Sequence, residues 1–150
     1  MLTLKRTDNS SSDFVKLVAE LDAYLKITDG DDHSFYNQYN GLENIHHAVV
    51  LYDGESAVGC GAFKQFDEES VEVKRMYVKP SHRGTGSATQ ILEALELWAK
   101  EEGNKRCILE TGERQVEAVK FYHKSGYKRI PNYGQYAGVE NSYCFEKQLS

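Results

Sequence analysis

The stretch RMYVKPSHRGTGSATQILEAL, Arg75 to Leu95, sets a strand, a glycine-rich loop and a helix in direct succession. Pro80 ends the strand that runs through Val78, because a proline cannot donate to a ladder. Gly84 and Gly86 then make a tight loop, and Ala88, Ile91, Leu92, Leu95 and Ala99 recur at helical spacing. The first turn of such a helix points unpaired amides outward, and its dipole favours negative charge. Two glycines let backbone approach an anion closely where a Cβ would intrude. Arg83 adds a charged fork. The segment therefore reads as a phosphate site, or else as a mere tight turn.

Working outward, the residues before this stretch alternate strand and helix patterns. Leu2–Arg6 reads as a strand, Ser10–Asp13 supplies N-cap chemistry, and Phe14, Leu17, Val18, Leu21 and Leu25 mark one apolar helix face. After the break TDGDD, Asp31 or Asp32 can cap a short second helix that carries Phe35, Tyr36 and Tyr39 and stops at Gly41. His47–Tyr52 and Ser56–Phe66 flank an Asp-Gly turn and read as an antiparallel hairpin. DEES turns the chain into Val71–Val78. Beyond the loop, the long helix ends at Gly103, Arg106–Thr111 is a strand, Gln115–Gly126 is a helix, and Tyr127–Ile130 and Ser142–Leu149 are strands. Helices inserted among hairpin-linked strands indicate a mixed α/β or α+β sheet. The connection Ile130–Asn141 is long, and loops of that kind are often lids or substrate walls.

Composition narrows the class. The 150 residues fit one domain, 1–150, of ordinary soluble character, with 40% hydrophobic and 27% charged residues. No apolar run is long enough to cross a bilayer. The segment MLTLKRTDNSS lacks the apolar core of a secretion signal, so a cytoplasmic location without membrane partners is expected. A net charge of −5 argues against sequence-independent nucleic-acid binding. Cys60, Cys107 and Cys144 are scattered, with no CxxC or Cys/His cluster, so reduced buried thiols and no metal are expected. His46 and His47 are adjacent on a strand, point to opposite faces and make a poor metal pair.

Three ligands could own the phosphate. A triphosphate loop needs GxxxxGK[ST], but no lysine is present here and Ser87 follows Gly86 directly. A dinucleotide loop needs GxGxxG, but Thr89 stands at the third glycine. The flanks favour a third owner. The segment around Arg83, Gly86 and Ala88 resembles the R/Q-x-x-G-x-G/A signature with which the GNAT superfamily of N-acetyltransferases binds acyl-CoA, preceded by Met76-Tyr77-Val78 and Lys79-Pro80. A second block, Glu117–Ile130, resembles that family's C-terminal motif, with Ala118, Tyr122 and Gly126 in register. Element order also fits the family over essentially the whole chain.

The resemblance implies the GNAT fold: a mixed, mostly antiparallel twisted sheet with a central splay between two strands, flanked by about four helices. It implies acetyl-CoA as co-substrate, with pyrophosphate on the amides of Arg83, Gly84, Thr85, Gly86, Ser87 and Ala88. The pantetheine arm would lie along Met76, Tyr77 and Val78, pairing with the backbone of Met76 and Val78, between Val71–Val78 and Arg106–Thr111. The Met76 N–H would polarise the thioester oxygen. Tyr122 matches the family's usual acid for the departing thiolate, and a packed core tyrosine is the alternative. Pairing of two copies through the C-terminal strands is a family habit.

For the base, strict alternation places Glu72, Lys74 and Met76 on one face and Val73, Arg75 and Tyr77 on the other. Charges beside Met76 point to water or substrate there, and Glu72 matches the base of histone-acetylating members of the family. An ion pair with Lys74 or Arg75 is the alternative. Glu110, at the end of the neighbouring strand, is second choice, as base or amine anchor. His33, Tyr36, Tyr133 and Tyr136 lie in the segments expected to wall the acceptor. The expected function is acetyl transfer from acetyl-CoA to a primary amine, small or amino-acid-like. Protein N-terminal or lysine acetylation and a non-catalytic acyl-CoA sensor stand as alternatives.

Overall fold

The computed structural model describes residues 1–29 and 41–149. The expected short second helix, with His33 and Tyr36, lies outside these residues. Strands β1 (Leu2–Thr7), β2 (His47–Asp53), β3 (Ser56–Gln65), β4 (Ser70–Val78), β5 (Arg106–Gly112), β6 (Lys128–Ile130) and β7 (Ser142–Gln148) form one 7-stranded sheet in the order β1-β2-β3-β4-β5-β7-β6. The α-helices among the described residues are α1 (Ser12–Asp29), α2 (Ser87–Glu101) and α3 (Val116–Lys124).

Local chemistry explains the elements. Ser11 Oγ accepts the Phe14 N–H at 3.2 Å, which starts α1 where the N-cap residues predict it. The apolar face of α1 (Phe14, Leu17, Val18 and Leu21) packs on Ala48, Val50, Cys60 and Ala62 of one sheet face. On the other face, Ile91, Leu92, Leu95 and Ala99 of α2 meet Val49, Leu51, Phe63, Val71 and Val73. Full burial of each such Leu or Ile contributes about 1.5–3 kcal/mol. Helix α2 lies tight on β3: a Cβ at Gly61 would stand 2.9 Å from both Ile91 and Leu95.

The sheet is antiparallel except between β4 and β5. These two run parallel, paired only at Ser70↔Arg106, Val71↔Cys107 and Glu72↔Ile108, after which they part. This is the expected splay. The β2–β3 pair is the expected antiparallel hairpin, with Asp53 opposite Ser56. All three cysteines are buried free thiols.

One expectation fails. The β3–β4 register shifts between Cys60↔Tyr77 and Ala62↔Lys74, so Arg75 and Met76 together face Gly61. Arg75 takes φ 60°, the left-handed region. Alternation is broken there. Arg75 reaches Asp22 of α1, and Tyr77 joins the α1-side core. Met76 packs on the α2 side, where its Sδ would stand 2.6 Å from a Cβ at Gly61. Met76 therefore does not share a face with Glu72 and Lys74, and Arg75 and Tyr77 do not share one with Val73.

Candidate active site

The parting of β4 and β5 opens a cleft of about 370 Å³. Leu21, Tyr24 and Leu25 of α1 form one wall, and Ala118, Phe121 and Tyr122 of α3 the other. Met76, Tyr77 and Val78 line its length, Arg83 and Ala88 one end, and Glu72, Lys74, Glu110 and Tyr136 the rest. The splay thus joins Arg83 and Ala88, which flank the glycine loop, with Tyr122 and the two candidate carboxylates in one space.

Backbone geometry prepares the floor. The Lys79 N–H donates to the Val58 carbonyl at 2.9 Å, across to β3. Strand alternation then turns the polar groups of Val78 toward the side where β5 has left. The Val78 carbonyl meets Arg83 Nε there at 2.8 Å. Arg83 also packs on aromatic rings: its guanidinium lies over Tyr24 at 5.4 Å and Tyr77 at 5.6 Å.

The loop beyond is set for an anion. Gly84 and Gly86 adopt φ 75° and 82°, and nothing lies within 4 Å of where either Cβ would be. Gly86 caps α2 without a side-chain hydrogen bond. The first helical bond runs from the Gln90 N–H to the Gly86 carbonyl, so the amides from Ser87 to Thr89 have no intrahelical acceptor. Side chains brace the loop from behind. Thr85 donates its hydroxyl to the His82 carbonyl and sits 2.8 Å from the buried Ser87 Oγ. The His82 ring bridges Ser81 and Asp53 at 2.8 and 2.9 Å. Thr85 and Ser87 thereby shape the loop with their side chains, leaving the backbone to meet an anion.

Tyr122 is 7% exposed, packed by Phe121, Tyr127 and Phe145. Its hydroxyl makes no hydrogen bond among the described residues. Burial, and then the charge of Glu110, push its pKa well above the ordinary tyrosine value. It stays protonated at any physiological pH.

The other end of the cleft is built from side chains. Tyr133 donates to Glu72 Oε2 at 2.6 Å, while Lys74 Nζ stands 3.6 Å from Oε1. Glu72 therefore does have the ion pair with Lys74 that the sequence left open, whereas Arg75 pairs elsewhere. Burial lowers the Lys74 pKa, with Glu72 opposing the shift. Burial raises that of Tyr133, reinforced by Glu72. Tyr136 is raised by burial, then by Glu110 and Glu72. The 130–141 connection is ordered by Asn132 Nδ2, which donates to the Val139 carbonyl at 2.7 Å, and by Tyr133 packed edge-on to Tyr136. Tyr136 reaches the cleft, while Tyr133 acts behind it through Glu72.

Sequence reasoning missed Tyr24 and the Asp22–Arg75 pair. Alternating Gly59 and Gly61 in β3 were an available signal, since strand glycines mark bulges and close backbone approach.

The acetyltransferase (GNAT) family model matches residues 14–127. The IAA acetyltransferase of Azospirillum brasilense is 32% identical, over 99% of this chain and 98% of its own. The uncharacterized N-acetyltransferase YsnE of Bacillus subtilis is 30% identical over 73% of this chain and 76% of its own. Among solved structures, a Klebsiella pneumoniae protein assigned to the acyl-CoA N-acyltransferases superposes with TM-score 0.84 at 29% identity, over 100% of this chain and 99% of its own. A GNAT acetyltransferase of Elizabethkingia anophelis with acetyl-CoA bound gives 0.72 at 17% identity, covering 99% and 98% of the two chains. The chain belongs to the GNAT acetyltransferase family. Its class of activity is acetyl-CoA-dependent acyl transfer to an amine.

Proposed function

We propose that this enzyme acetylates a small primary amine by direct attack, with the residues lining the splay as its machinery. The observation that carries the reading is the continuity of one cleft from the helix N-terminus of α2 to Tyr122 and the carboxylates Glu72 and Glu110.

In this reading the amides from Gly84 to Ala88, with Arg83, take the pyrophosphate of acetyl-CoA. The backbone of Met76 and Val78 pairs with the pantetheine arm alongside Tyr77, and the Met76 N–H meets the thioester oxygen as charge develops. The acceptor enters from the side of Tyr136 and Glu110, where Glu110 anchors its ammonium. A lysine-like ammonium has a pKa of about 10 and no lone pair to attack with, so it must first lose a proton. Glu72 takes that proton on Oε1. Its other oxygen is held by the Tyr133 hydroxyl, and Lys74 at 3.6 Å is beyond hydrogen-bonding distance.

The amine nitrogen then bonds to the thioester carbon as the carbon–sulfur bond breaks. Tyr122 gives its proton to the leaving thiolate and regains one from the second proton that the acylated nitrogen sheds, so that amide, free thiol and neutral tyrosine result. Its raised pKa does not forbid this, because the thiolate is desolvated in the same cleft and its own proton affinity rises too.

A panel of small amines, amino acids and peptides, scored by thiol released from acetyl-CoA, tests the reading. Turnover of a small amine above the peptides supports it. Turnover of peptides alone moves the acceptor to protein termini or lysines, and CoA binding without turnover of any acceptor makes the chain a sensor.

A further inference from the structure

Arg75 is the one non-glycine residue with positive φ among those described. A glycine adopts that conformation without a Cβ penalty; an arginine must be held in it. What holds it is visible. Arg75 Nη1 donates to Asp22 Oδ1 of α1 at 2.7 Å, with the arginine side chain 4% exposed. The Cys60 thiol donates to the Arg75 carbonyl at 3.4 Å. Two residues on, the Tyr77 hydroxyl donates to Glu20 Oε1 at 3.3 Å, and Lys79 stands 3.5 Å from Oε2 of the same carboxylate. Helix α1 therefore grips β4 on both sides of Met76, and the same turns of α1 present Leu21, Tyr24 and Leu25 to the cleft.

We propose that Asp22 and Arg75 are a positioning pair: they hold the bulge that turns the Met76 amide toward the thioester and tie that amide to the wall of the cleft. The inference rests on the reading that the Met76 N–H meets the thioester oxygen. Neither residue touches the reacting atoms.

The test uses the full chain with acetyl-CoA carrying ¹³C at the thioester carbonyl, and reads the infrared stretch of that carbonyl when bound. In the unaltered enzyme a hydrogen bond from Met76 moves the band below its position in water. Asp22→Asn and Arg75→Met, which keeps the side-chain bulk and loses the ion pair, are expected to return the band part-way and to lower kcat about tenfold, less than the roughly 10²-fold that a 1 Å misplacement can cost. The Kd for acetyl-CoA should stay within about twofold in both variants. Arg75→Lys, which keeps a charge able to reach Asp22, should retain most of kcat. Asp22 is partly exposed, so its variant tests the pair without opening the core.

If Asp22→Asn keeps both the band and kcat while only its melting temperature falls, the pair is structural and the proposal is overturned. Arg75→Met with an unmoved band overturns it equally. A band in the unaltered enzyme that matches water defeats the reading of the Met76 amide itself, and the positioning role falls with it.

Discussion

The two ends of the cleft are made of different materials. At the loop end the ligand-facing groups are backbone amides, shaped by Gly84 and Gly86 and braced from behind by Thr85, Ser87 and His82. At the acceptor end they are side chains: Glu72 held by Tyr133, Lys74 beside it, and Glu110 and Tyr136 across the gap. A backbone site recognises a group common to every reaction in a family and tolerates exchange of the surrounding side chains. A side-chain site is rewritten by each substitution, so specificity resides there.

This contrast can be broken most severely at Gly86. Gly86→Glu places a carboxylate where an anion would sit, on a residue strained at φ 82°. Acetyl-CoA binding should be lost from calorimetric detection while the melting temperature changes by only a few degrees. Next comes Tyr122→Phe. Loss of a general acid costs about 10²–10⁴-fold, so kcat should fall by about two orders of magnitude with the acetyl-CoA KM nearly unchanged. An unaltered kcat would return Tyr122 to the core.

Glu72→Gln is a milder lesion with a pH signature. Its effect on kcat/KM should be largest at low pH, where little free amine exists, and should shrink as pH approaches the pKa of the acceptor. A loss uniform across pH would assign the base elsewhere, with Glu110 first in line. Smallest is Tyr133→Phe, which removes one hydrogen bond to a carboxylate, worth about 1.5–3 kcal/mol. It should lower kcat/KM for the acceptor several-fold, by loosening the base, and leave the acetyl-CoA KM alone. If both constants move together, the division of labour between the two ends of the cleft fails.

Legibility from sequence follows the same division. The loop was readable because a backbone anion site needs small residues at fixed spacing next to a helix start, and Gly84, Gly86 and the Ile91–Leu95 periodicity say so locally. The splay followed from the expected neighbours Val71–Val78 and Arg106–Thr111. The acceptor end was not readable in this way. Tyr133 meets Glu72 across 61 positions of chain, and nothing local in either segment announces the other. Strict alternation in β4 failed because the residue in the left-handed conformation is Arg75, and arginine carries no turn signal. Its partner Asp22 looks like any polar position on an amphipathic helix.

The extra residue in β4 has a consequence for engineering. An uninterrupted pleat there, extended into full pairing with β5, would be the better-bonded sheet, with no left-handed arginine and no parted strands. Selection for heat resistance alone would favour shortening β4 by one residue and closing the gap. Such a variant would be sturdier and inert, because the reaction occupies a flaw in the lattice of the sheet. Stabilising this enzyme without silencing it therefore means improving the outer strands β1 and β6 and leaving the flaw untouched.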